Sequence, residues 1–118
     1  MHRLGNYLRT HRRRWQLTQE ELAFIFGYSD PAMVGRLERD ERVITLAVAH
    51  TTHLMFGVEP RDLFPAFFAG VEDNVFRRMH ELRDQFAQDQ RTPPIQTKLV
   101  LLHEAIHRIA KLSQQSEV

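Results

Sequence analysis

The sequence predicts an all-α protein, with a compact domain of five short helices over residues 1–65 followed by a two-helix hairpin over residues 66–118. Three observations predict it. Helix-start and helix-stop residues alternate at short intervals through the first half, apolar residues recur at spacings of 3 and 4 through the second, and no stretch alternates as a strand would.

Leu4, Leu8, His11 and Trp15 recur at helical spacing, so a first amphipathic helix is expected over about residues 3–14. Its other face is basic. Residues 1–16 hold Arg3, Arg9, Arg12, Arg13 and Arg14 with no acid, a local charge of +5 that suits either phosphate contact or simple solvation. Thr18 and Glu21 form a capping box, and Leu17 and Leu22 take the staple positions around it, so a second helix starts there and stops at Gly27. Asp30-Pro31 supplies an N-cap and a first-turn proline for a third helix over about residues 31–39. Thr45 caps a fourth helix through Leu46, Ala49, His53 and Phe56 that ends at Gly57, and Pro60 opens a short fifth through Leu63 and Phe64. Five helices joined by such short loops make one core.

Beyond Pro65 the pattern lengthens. Phe68, Val71, Val75, Met79, Leu82 and Phe86 follow at spacings of 3, 4, 4, 3 and 4, the seam of a helix packed along another helix. After the polar break at residues 89–94, Leu99, Leu102, Ile106 and Ile109 repeat at 3, 4 and 3. The hairpin so formed either folds back on its own domain or pairs with a second chain, and pairing is the expectation.

Composition narrows the function classes. A chain of 118 residues with 42% hydrophobic content buries one core and a small helical appendage, not two large domains. Without cysteine there is no disulfide and no thiolate metal site. Arg3 and Arg9 stand where a signal peptide would carry its apolar core, so the expectation is a cytoplasmic protein. The best apolar run, Leu63 to Val71, falls well short of the roughly 20 residues of a membrane-spanning helix and contains Pro65. A net charge of +1 is too small to imply nucleic acid by itself, so the placement of charge matters more than its sum.

Leu17-Thr18-Gln19-Glu20-Glu21-Leu22-Ala23, Gly27, Arg36-Leu37-Glu38-Arg39, the Arg42-to-Leu46 stretch, Phe56-Gly57-Val58 and Asp62-Leu63-Phe64 occur in that order. Together they resemble the Cro/repressor-type (XRE-like) helix-turn-helix family of transcriptional regulators, over roughly half the chain. The resemblance implies a five-helix, lambda-repressor-like DNA-binding domain whose third helix enters the major groove. It implies that Leu22, Phe26, Tyr28, Val34 and Leu37 form the core between the second and third helices, with Ala23 small where they cross. It also implies that Gln19 meets a phosphate and that Glu38 pairs with Arg12, an ion pair that stabilises the fold. One residue more than the family pattern has separates Gly27 from Glu38, and Asp30-Pro31 absorbs it by lengthening the turn, which leaves the register of base contacts open by about one residue.

The groove-facing candidates are Ser29, Asp30, Ala32, Met33, Gly35, Arg36 and Arg39, an apolar set with few donors. Arg36 is the candidate for bidentate contact with guanine, and Ala32 or Met33 can pack on a thymine methyl. Gly35 weakens the helix by up to about 1 kcal/mol relative to alanine, consistent with close approach to the DNA backbone or with a tolerated residue. Arg39 and Arg42 read as phosphate contacts.

His103-Glu104-Ala105-Ile106-His107 matches the HExxH zinc-peptidase motif. Only 11 residues follow His107, too few to build a substrate cleft, so the expected reading is two ordinary histidines on a solvated face, with adventitious metal binding the alternative. No catalytic residue, resident metal or cofactor is expected. The resulting expectation is a dimeric DNA-binding repressor that contacts double-stranded DNA through the third helix. Phe68, Val71, Val75, Met79, Leu82, Phe86, Leu99, Leu102 and Ile106 form its seam with a second copy or a partner. The alternative is an antitoxin-like protein that binds a protein partner through residues 66–118 and autoregulates its operon.

Overall fold

The computed structural model describes residues 6–88 and 92–116, and among them the chain is all-α. Seven helices are present among the described residues: α1 (Leu8–Arg14), α2 (Gln19–Phe26), α3 (Ala32–Glu38), α4 (Leu46–Phe56), α5 (Pro60–Leu63), α6 (Pro65–Ala87) and α7 (Pro93–Ser116). No strand occurs among them. No helix is long and apolar enough to cross a membrane among the described residues.

Capping chemistry sets most of the boundaries. Thr18 Oγ1 accepts from the Glu21 amide at 3.0 Å while Glu21 Oε1 accepts from the Thr18 amide at 2.9 Å, the reciprocal box that starts α2. Gly27 ends α2 in the left-handed conformation at φ 83°, and Gly57 ends α4 in the same way at φ 68°. Thr45 Oγ1 accepts from the Val48 amide at 3.1 Å to start α4. Asp30 Oδ1 accepts from the Ala32 amide at 3.0 Å, so Asp30 does the capping although regular α3 begins two residues later.

Two expectations change here. α1 begins at Leu8 rather than near residue 3, with Tyr7 at the N-cap position and Asn6 Oδ1 accepting from the Leu8 amide at 3.0 Å just ahead of the helix; Leu4 lies outside the described residues. The polar break expected over residues 89–94 does not extend through Pro93 and Pro94. They form the first turn of α7, where the missing amide hydrogen costs nothing.

The chain divides into two compact units after Ala69. In the first, Leu8, Leu22, Ala23, Val34, Leu37, Ile44, Val48, Ala49, Leu63 and Phe64 form the core. α3 packs on α1 and α2, α2 on α4, and α4 on α5. Phe26 and Tyr28 flank the core with their rings edge to face at 6.2 Å. Phe67 and Phe68, in the first turn of α6, also pack against it. Phe68 therefore serves the first unit's core, which corrects its assignment to the hairpin seam; spacing alone could not tell which unit the start of α6 would join.

In the second unit, comprising the rest of α6 and α7, Ile106 is the one buried hydrophobic residue among those described. Val75, Met79, Phe86, Leu99, Leu102 and Ile109 are half-buried, whereas Val71 and Leu82 are 45% and 40% exposed. Lys98 Nζ stands 5.2 Å from the centre of the Phe86 ring, which brings the end of α6 to the start of α7.

The α1–α4 contact contains a titrating group. His11 lies 5.4 Å from the Phe56 ring and Trp15 meets the same ring edge-on at 5.3 Å. Burial, with Arg14 nearby, lowers the His11 pKa below its ordinary value of 6.5. The unfolded chain then binds the proton more readily than the folded one, so stability present above about pH 6.5 is lost as pH falls through the folded value. We expect His11→Leu to flatten the rise of urea-unfolding free energy between about pH 5 and pH 7. An unchanged slope would place the titration elsewhere.

Candidate nucleic-acid interface

The face of interest is built from the back forwards. Val34 and Leu37 are fully buried and fix the inner side of α3. Glu38, its last residue, anchors the C-terminal end: its Oε2 accepts from Arg12 Nε at 2.7 Å, and its Oε1 accepts from Gln19 Nε2 at 3.0 Å. Arg12 also donates through Nη1 to the Leu17 carbonyl at 2.9 Å. The Arg12 and Glu38 side chains are only 10% and 4% exposed. One carboxylate thus ties α3 to both α1 and α2, with two kinds of donor satisfying it.

The end of α3 is held by a second polar knot that sequence reasoning missed. Asn6, 2% exposed, donates through Nδ2 to the Leu37 carbonyl at 2.9 Å and to Asp40 Oδ1 at 2.7 Å. Asp40 sits in the left-handed region at φ 57°, and the Glu41 amide closes back on the Arg36 carbonyl at 2.8 Å. This is a Schellman termination with aspartate where glycine is commonest. The signal available in the sequence was an asparagine, a good capping residue, two positions before Leu8.

The outer side of α3 is open. Ser29, Asp30, Ala32 and Arg36 are exposed and Met33 is half-buried. Arg36 Nη1 rests 3.9 Å from Met33 Sδ, a weak contact; no ion pair within 4.0 Å holds it among the described residues, although its charge acts on the nearby Glu41 carboxylate. Arg42 is exposed in the loop that follows.

Three candidates are placed differently from the expectation. Gly35 is buried rather than presented to solvent. A Cβ built on it would lie 3.0 Å from Arg39 Nη1 and 3.3 Å from Gln19 Nε2, so the missing side chain makes room for the protein's own polar groups. Gln19 spends its side-chain amide on Glu38; its backbone N–H, at the first helical position of α2, is the group left without an intrahelical acceptor. Arg39 is bound to Glu41, Nε to Oε1 at 3.0 Å and Nη2 to Oε2 at 3.1 Å. That pairing raises the Arg39 pKa and lowers that of Glu41.

Arg12 is likewise withdrawn from the basic face of the first helix, whereas Arg9, Arg13 and Arg14 are exposed and Arg3 lies outside the described residues. His103, Glu104 and His107 are exposed on α7. Among the described residues no group of three or more His, Cys, Asp or Glu could hold a metal ion. Comparison with protein-family models, curated proteins and solved structures finds no match to this chain.

The Arg12–Glu38 contact tests how the face is held. Arg12→Ala leaves the Glu38 carboxylate buried without its cation and should cost about 3 to 5 kcal/mol in urea denaturation. The double variant Arg12→Met/Glu38→Leu should recover most of that loss, because no charge is then stranded. Equal destabilisation by the single and double variants would show that packing, not charge, fastens α3.

Proposed function

We propose that this protein is a sequence-specific DNA-binding transcriptional regulator, with a five-helix, lambda-repressor-like domain that lays α3 in the major groove. The observation that carries the reading is the two-sidedness of α3. Its inner side is immobilised by the core and the Glu38 contacts, while Ala32 and Arg36 are exposed on its outer side beside the half-buried Met33. A rigid helix with an exposed guanidinium and apolar neighbours fits donation from Arg36 Nη to guanine O6 and N7, and thymine-methyl contact. The order of motifs from Leu17 to Phe64 supports the same reading.

The second unit suits association with a second copy. Two helices of 23 and 24 residues that bury a single hydrophobic residue leave their seam half covered, and another pair of such helices would complete a four-helix core. A two-fold dimer would set two copies of α3 about 34 Å apart, one turn of duplex. Occupancy of a promoter by such a dimer would repress by exclusion. The same exposed residues, Val71 and Leu82, would serve an antitoxin-like protein partner, and the state of the purified protein separates the two readings.

On a site selected from randomised duplexes, at fixed salt, Arg36→Ala should lose about 1 to 3 kcal/mol and relax base preference. Arg42→Ala should weaken all duplexes alike and reduce the salt slope by about 1. Equal losses for Arg36→Ala on selected and random DNA would remove it from base readout, and no binding by the wild-type chain would defeat the reading.

Val71→Glu/Leu82→Glu, at positions already partly exposed in the protomer, should convert a sedimenting dimer to a monomer with unchanged helix content. A purified wild-type protein that sediments as a monomer would favour the partner-binding alternative.

A further inference from the structure

We infer that Glu41 is an internal competitor for DNA phosphate, holding Arg39 folded back against α3 until nucleic acid displaces it. The inference rests on the DNA-binding reading and adds a control on its strength. Three observations carry it. Glu41 meets the Arg39 guanidinium with both oxygens, at 3.0 and 3.1 Å, the two-point geometry that a phosphate also offers. Gly35 lacks the Cβ that would crowd Arg39 Nη1 at 3.0 Å, so the guanidinium can lie down on the helix instead of extending from it. The backbone reversal at Asp40, fixed by Asn6 at 2.7 Å and by the Glu41 amide at 2.8 Å, points the chain so that Glu41 faces Arg39.

Both partners are about half exposed, at 58% and 54%, so the pair is weak enough for a phosphate to replace the carboxylate. Opening the contact exchanges one charge-assisted pair for another, and it exposes Glu41 to the repulsion of the duplex. The net effect is to subtract most of one phosphate contact from the protein's electrostatic attraction to any DNA. A regulator restrained in this way spends less time on non-specific duplex, where phosphate contacts supply nearly all the binding.

The experiment measures binding of the full chain to a random duplex across a series of salt concentrations. Glu41→Gln should raise non-specific affinity about three- to tenfold and steepen the salt slope by about 1, as expected for one additional phosphate contact. In an Arg39→Ala background the same substitution should give a clearly smaller gain and no added salt slope, because only relief of the Glu41 charge itself, which also acts on Arg36, is then left. An undiminished gain without Arg39 would mean that Glu41 merely repels DNA, and an unchanged affinity in Glu41→Gln would mean that Arg39 is not restrained; either result overturns the inference while wild-type binding upholds the reading beneath it. Absence of wild-type binding at low salt overturns both.

Discussion

The Glu38 carboxylate is the joint on which the first unit turns. It takes hydrogen bonds from Arg12 of α1 and Gln19 of α2 while standing at the end of α3, so three helices share one buried charge. A hydrophobic core alone would let α3 rotate slightly about its axis, since Val34 and Leu37 are smooth and replaceable contacts. A charged acceptor with fixed donors does not permit that freedom. Whatever α3 presents outward is therefore held in a defined register relative to the N-terminus of α2.

That constraint explains the apolar character of the outer side. Because the polar groups Arg12, Gln19 and Glu38 are consumed in fastening the helix, the residues left on the outer side of α3 are the exposed Ala32 and Arg36 with the half-buried Met33. Their small number of donors concentrates hydrogen-bonding capacity in one guanidinium. Under the proposed function, discrimination would come from Arg36 and from van der Waals contact rather than from a ladder of polar side chains.

Local chemistry was legible in the sequence where it acts over four residues or fewer. The Thr18–Glu21 box, the Gly27 and Gly57 stops and the Thr45 cap could be read directly, since each partner is a near neighbour in the chain. The Arg12–Glu38 pair spans 26 residues and was reachable only through the family resemblance. Asn6 with Asp40, separated by 34 residues, had no such guide and went unread. Phe68 carried two compatible assignments, because an apolar residue at helical spacing looks the same whether it joins the preceding core or the following seam. Gly35 was misplaced for a related reason: spacing puts it on the outer stripe, but only coordinates reveal that Arg39 and Gln19 lie over it.

The charge distribution links the two units under the proposed function. Of the arginines near α3, Arg12 is committed to Glu38 and Arg39 to Glu41, which leaves Arg36 and Arg42 exposed there, with Arg9, Arg13 and Arg14 on α1. Few cations per protomer mean a modest non-specific attraction for any duplex. Two protomers joined through α6 and α7 would double the phosphate contacts and convert the second binding event into an intramolecular one, raising avidity without any new contact on the protomer. Under that reading a net charge of +1 would suffice for selective binding by a paired protein, and the half-covered seam of its second unit is the feature that would make pairing favourable.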